Sequence, residues 1–134
     1  MRASEVMIAG PVVVAAGATA SEVAALMRVK NISVVPVVDN PKDLRYLGTI
    51  SDRDIVVRCL GLGHDPSDCS VQDHARTDTP VVKSDTELKG YKVPKQLDPG
   101  DHHVRATIVV VDGDKRVVGF IPHPEEVQGI VIAP

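Results

Sequence analysis

The residues whose types and spacing could do chemistry sit in the stretch Gly48-Thr49-Ile50-Ser51-Asp52-Arg53-Asp54. An apolar run ends at Ile50, a hydroxyl residue follows, and a carboxylate comes three positions later. Behind it, Ile55-Val56-Val57-Arg58-Cys59-Leu60 has helix-compatible spacing. The pattern predicts a strand that turns directly into a helix over Asp52 to Leu60, with Ser51 as N-cap and Asp54 at the third helical position. Two readings fit. The first N–H groups of a helix lack intrahelical partners and lie at the positive end of its dipole, so a phosphate is stabilised there. Ser51 and Asp54 share a helix face. Asp54 could then accept from both hydroxyls of a ribose, with Ser51 reaching sugar or phosphate and Arg53 adding positive charge. On the other reading the pair is a plain capping box, in which Ser51 accepts from the Asp54 N–H and Asp54 stabilises the first turn.

The elements that must position these residues are aliphatic. In 134 residues, hydrophobic types make up 43% and aromatics 2%, with no Trp. The core is therefore built from Val, Ile, Leu and Ala, and the β-branched excess favours strands. The length fits one compact domain or two small halves packed as one. A net charge of −3 without a basic block argues against nucleic acid as the partner. No apolar run is long enough to span a membrane. Met1-Arg2 followed by Val12-Val13-Val14-Ala15-Ala16-Gly17-Ala18 faintly imitates a signal peptide, but Glu5, Pro11 and the short apolar stretch oppose it, and a cytoplasmic protein is expected. Cys59, on the predicted helix, and Cys69, in the loop after it, are expected as free thiols, with a disulfide as the alternative.

Along the chain, Ala3 to Met7 reads as a short helical turn capped by Ser4, and Pro11 to Ala15 as a buried strand. Thr19-Ala20-Ser21-Glu22 is a capping box opening a helix to about Lys30, with Val23, Leu26 and Met27 facing inward and Asn31 as a left-handed stop. Ile32 to Val38 is a second strand, in which Pro36, lacking an N–H, belongs at an edge or at the end of the pairing. Asp39 to Asp43 is a turn, Tyr46 to Ile50 a third strand, and Gly61 and Gly63 close the helix after it. The unit is β-α-β-β-α.

The pattern then starts again. Thr79-Pro80-Val81-Val82 resembles Gly10-Pro11-Val12-Val13, and Ser84-Asp85-Thr86 matches Gly17-Ala18-Thr19. Ala106 to Asp112 matches Ser33 to Asp39, and Val118 to Ile121 matches Leu47 to Ile50. Two copies of one unit, neither able to bury its sheet alone, are implied. The second copy is worn. Gly90, Pro94, Pro99 and Gly100 leave at most a short turn after Thr86, then an irregular loop to about Asp101. Pro122 and Glu125 stand where the first copy has Ser51 and Asp54, and the last helix, from Glu125, runs out at Gly129.

These features resemble a tandem pair of CBS domains (the cystathionine β-synthase type), a Bateman module, over nearly the whole chain. The resemblance is carried by Ser4-Glu5-Val6-Met7, the Thr19-to-Met27 helix, the Ile32-to-Val38 strand with its Pro36, and Gly48-x-x-Ser51-x-x-Asp54. It implies an α/β (α+β) fold of two β-α-β-β-α repeats in one pseudo-two-fold module: residues 1–60, a linker at 61–70, and a degenerate second repeat at 71–134. It further implies clefts that bind adenine nucleotides such as AMP or ATP, or related adenosyl ligands, and a homodimer. Carried onto this chain, Asp54 would hold the ribose hydroxyls, and Ser51 and Arg53 would face the phosphate. Gly10, Pro11 and Val12, with Val34, Val35, Pro36 and Val37, would flank the base, largely through backbone groups.

No catalytic set assembles from the sequence. Cys59 has no assignable His base. Asp52 and Asp54 are two apart on a helix and face different ways. His102-His103 with Asp101 reads as a solvated loop rather than a metal site, because adjacent residues diverge, and His123 reads as exposed. The expected function is a regulatory module that senses an adenine nucleotide or adenosyl ligand without catalysis, cofactor or metal. The alternative is a structural or protein-interaction pair whose nucleotide site has decayed, with an enzyme as a third and weaker reading.

Overall fold

A computed structural model of the chain describes residues 1–9, 12–78, 81–89, 106–123 and 131–132. The first repeat is built from β2 (Val14–Ala15), α2 (Ala20–Lys30), β3 (Val34–Val38) and β4 (Tyr46–Ser51), which runs into a helical turn α3 (Asp52–Asp54). That turn continues through a wider π-type turn at Ile55–Cys59 and a tight 3-10 turn at Leu60–Leu62, and Gly63 ends it at φ 78°. Ahead of the repeat stand α1 (Ala3–Val6) and β1 (Ile8–Ala9). The second repeat holds β5 (Val81–Lys83), β6 (Leu88–Lys89), β7 (Ala106–Val111), β8 (Val117–His123) and β9 (Val131–Ile132).

The capping signals explain α2. The Thr19 hydroxyl accepts from the Glu22 N–H at 3.2 Å, and Asn31 stops the helix in the left-handed conformation at φ 54°. At α1, Arg2 rather than Ser4 is the N-cap, its N–H donating to Glu5 Oε1 at 3.2 Å; Ser4 lies inside the turn and is exposed.

Two similar sheets follow from the repeat. In one, β2 runs parallel to β3, which pairs antiparallel with β4. In the other, β5 runs parallel to β7, which pairs antiparallel with β8. Leu44 and Lys115 both adopt positive φ, at 55° and 63°, in matching hairpin bends. The Ala16 N–H donates to Val38 O, and the Ser84 N–H donates to Val111 O. Ser84 therefore matches Ala16, one residue off the Gly17 pairing that the sequence alignment predicts.

Each sheet is completed by the segment leading into the other repeat. β1 pairs with β8, Ile8 opposite Phe120. Arg76 bridges β4 at Thr49 through N–H···O bonds of 2.9 and 2.8 Å in the two directions. Ala3 is buried among Val82, Leu88, Ile108, Val110 and Ile121, while Val71 is buried among Val23, Val35, Ile50 and Cys59. A third cluster, of Val38, Val109, Val111 and Val117, joins the two sheets.

Pro36 lies in the middle strand of its sheet, not at an edge, but at the end of the pairing with β2, the other place expected for it, and so needs no donor there. Its cross-strand partner Thr49 turns both backbone groups toward Arg76, and the ladder with β2 begins only at Val37. After Thr86 the chain forms a strand, β6, paired with β9, and not a helical turn. The predicted loop from Gly90 to Asp101, with Asp101, His102 and His103, lies outside the described residues, as do Gly10, Pro11, Glu125 and Gly129.

Candidate functional site

The end of β4 and the start of α3 bring together the residues that the motif singled out. Ser51 Oγ accepts from the Asp54 N–H at 3.1 Å, and Asp54 Oδ2 accepts from the Ser51 N–H at 2.9 Å, so the capping box is closed in both directions. Val34 is directly opposite Ser51 on the neighbouring strand. Asp54 is buried, with 4% of its surface exposed. Its other oxygen, Oδ1, faces two guanidinium groups: Arg76 Nη1 at 3.7 Å and Arg58 Nε at 4.0 Å, both on half-exposed side chains. Arg76 also reaches Asp78 at 3.3 Å.

The expectation that the helix mouth offers free amides is not met. The Asp52 N–H donates to Ser33 O at 2.9 Å, the Arg53 N–H to Asp52 Oδ1 at 2.8 Å, the Asp54 N–H to Ser51 Oγ, and the Ile55 N–H to Asp52 O. Positive charge at this mouth therefore comes from side chains. Arg53 is exposed, and Arg58 and Arg76 flank the carboxylate. Val35 and Val37 are fully buried in the first repeat's core and Pro36 is buried as well, so a ligand can meet this strand only through Val34 and backbone groups. Val12 is half-buried just ahead of β2.

Sequence reasoning missed the two arginines that face Asp54. Arg58 had a signal, since it lies four residues on along the helix. Arg76 had none, because only the exchange of segments between repeats brings it there.

A second constellation was also missed. Cys59, His64, Cys69 and His74 recur at five-residue intervals. One nitrogen from each of His64 and His74, and the Cys69 sulfur, lie within 4.8 Å of one another. The two imidazole rings are 5.9 Å apart at 39°. The Cys59 thiol, fully buried, donates to Cys69 Sγ at 2.9 Å; both cysteines are free, in line with the sequence expectation. The Cys69 thiol is pushed up to about 11, first by its hydrogen bond with Cys59, then by burial and by the charges of Cys59, Asp65 and Asp68. His64, Cys69 and His74 open on a cleft of about 360 Å³ lined also by Asp65, Asp68 and Asp73, with Cys59 buried behind Cys69.

Among the described residues, no helix is long and apolar enough to cross a membrane. Residues 3–61 match the CBS domain model. A comparison with curated proteins finds no match. Among solved structures, the chain is similar to Hypoxic Response Protein I with two coordinated zinc ions, at 25% identity over 91% of this chain and 92% of that one, with a TM-score of 0.69. It is similar to a CBS domain-containing protein from Bacillus anthracis at 20% identity, covering 91% and 86%, with a TM-score of 0.67. It is also similar to a CBS domain protein from Pyrobaculum aerophilum complexed with AMP, at 23% identity, covering 91% and 87%, with a TM-score of 0.65. Residues 3–61 thus belong to the CBS domain family, and the chain as a whole has the α+β fold of a tandem CBS pair.

Proposed function

We infer that the protein is a regulatory module whose first repeat binds an adenine nucleotide or related adenosyl ligand and which performs no chemistry of its own. One observation carries this reading. A buried carboxylate, Asp54, turns one oxygen toward two half-exposed arginines at a strand-to-helix junction. A ribose can donate its hydroxyls to such an oxygen, and a phosphate can displace the loose ion pairs of Arg58 and Arg76 or draw in Arg53. The AMP carried by the Pyrobaculum protein lends weight to the choice of ligand. Binding would act by population shift, the ligand favouring one packing of the two halves or of a dimer. A second copy would be met by the apolar helix face of Val56, Val57, Leu60 and Leu62, all exposed.

The closed capping box favours a second reading, a structural or interaction module whose nucleotide site has decayed. Thermal melts with AMP, ADP, ATP and adenosyl compounds separate the two. A ligand at about 100 times its Kd stabilises the native state by about 2.7 kcal/mol. The sensor reading expects such a shift in the wild type and none in Asp54→Asn, each compared with its own unliganded melt, since Asn keeps an acceptor for the Ser51 N–H. Melts of the wild type that no nucleotide moves would leave the interaction reading in place.

A further inference from the structure

We propose that Cys59, His64, Cys69 and His74 form a tetrahedral site for a zinc-class divalent cation, which staples the segment joining the two repeats onto the first repeat's core. The four donors come from three separate pieces of chain. Cys59 ends the π-type turn, His64 and Cys69 lie in the loop after it, and His74 follows the 3-10 turn at Val71–Asp73. Their convergence is therefore tertiary, not an accident of one helix face. A mixture of thiolate and imidazole suits zinc and its near relatives rather than calcium or magnesium. Zinc bonds of about 2.0–2.3 Å place neighbouring ligand atoms roughly 3.3–3.8 Å apart in a tetrahedron. His64, Cys69 and His74 already offer donors within 4.8 Å of one another, and the Cys59 sulfur is 2.9 Å from that of Cys69. Binding would draw these three donors together and turn the Cys59 sulfur toward the imidazoles by side-chain rotation.

The backbone beneath the donors is fixed. The Ala20 N–H donates to Cys69 O at 2.9 Å, the Ser21 N–H to Pro66 O at 3.1 Å and the Val71 N–H to Ala18 O at 2.9 Å, tying the loop to the start of α2. The His64 N–H donates to Cys59 O at 3.0 Å, and the His74 N–H to Val71 O at 3.1 Å. Asp65, Asp68 and Asp73 line the same cleft, giving it the negative field a cation needs and carboxylates of the kind that orient ligand imidazoles. The plainer reading, two buried thiols beside two solvated histidines, leaves the equal spacing and the convergence without a cause. Arg76 lies two residues beyond His74, so an ion here would also fix the arginine that faces Asp54.

The test loads the reduced, metal-free full chain with Co²⁺ and then Zn²⁺. One Co²⁺ per chain, with intense visible bands of tetrahedral cobalt and a near-ultraviolet thiolate charge-transfer band, is expected, and Zn²⁺ should displace it. Zn²⁺ should also slow alkylation of both cysteines. His64→Ala alters an exposed side chain and so should leave the fold intact by circular dichroism, while weakening zinc binding by more than about 100-fold, beyond the usual effect of outer-shell changes. Cys59→Ser should lose about half of the charge-transfer intensity, since one of two thiolates is gone. The proposal is overturned if the reduced chain takes up no cobalt, if the spectrum is the weak one of octahedral cobalt, or if His64→Ala binds zinc as the wild type does. A Cys59–Cys69 disulfide forming equally fast with and without Zn²⁺ would also overturn it.

Discussion

Gly48→Ala separates the observed fold from local propensity by the sign of its effect. Gly48 lies within β4, and its φ is not in the left-handed region, so an alanine there would ordinarily stabilise by about 0.4–1 kcal/mol through the unfolded chain. The structure forbids that gain. A Cβ on Gly48 would meet Arg76 O at 2.7 Å and Ala75 Cβ at 3.3 Å. The Ala75–Arg76 segment must retreat, and its two bonds to Thr49, of 2.9 and 2.8 Å, stretch or break. At about 1 kcal/mol for each of the two backbone bonds, the loss is roughly 2 kcal/mol. Set against the entropic gain, the net is a destabilisation of about 1 kcal/mol or more. With a urea slope of about 1.5 kcal/mol/M, the midpoint should fall by roughly 0.7 M or more. Gly119→Ala, at the matching place in the second repeat, faces Ile8 O at 2.7 Å and should do the same, whereas Gly17→Ala meets nothing within 4 Å and should not destabilise. A Gly48→Ala protein at least as stable as the wild type in urea melts would show that Arg76 does not lie against β4, and the exchange of leading segments would have to be abandoned.

The remaining predictions use the same logic. Val71→Ala should cost about 2 kcal/mol in urea melts although the residue follows the linker, because it is wholly buried in the first repeat's core. Thr19→Ala should cost about 1 kcal/mol by the same measurement, through loss of the cap on the Glu22 N–H. Leu60→Lys, on the exposed apolar helix face, should lower the mass measured by light scattering from dimer to monomer while leaving the melting temperature of the dilute chain nearly unchanged.

Much of the fold was legible because its signals are local or repeated. Thr19 and Asn31 bound α2 by side-chain and backbone chemistry that any observer of the sequence can apply, and the duplicated valine runs announced two similar sheets. What escaped was non-local. Nothing in Arg2-Ala3-Ser4-Glu5 says that Ala3 packs in the second repeat, or that Val71 packs in the first. The signal, a small or β-branched residue ahead of each repeat, is too thin without the fold. β6 was misread because Leu88-Lys89 is short and its pairing partner, Val131-Ile132, is far away in the chain.

The same division governs the site. Ser51 and Asp54 were found as a spacing, and a spacing alone predicts a cap, which is what their mutual hydrogen bonds make. Whether the pair is more than a cap depends on Asp54 Oδ1, whose charged neighbours arrive from opposite directions: Arg58 from the helix's next turn and Arg76 from the segment that leads into the other repeat. A carboxylate needed only for capping would be served by one oxygen at a solvated helix end. Here the second oxygen is buried between a charge from its own helix and one supplied by the exchange, and the segment supplying Arg76 follows the loop that also gathers Cys69 and His74. Anything that moves that segment must therefore change the electrostatics at Asp54, and anything that binds at Asp54 must bear on how the repeats are joined.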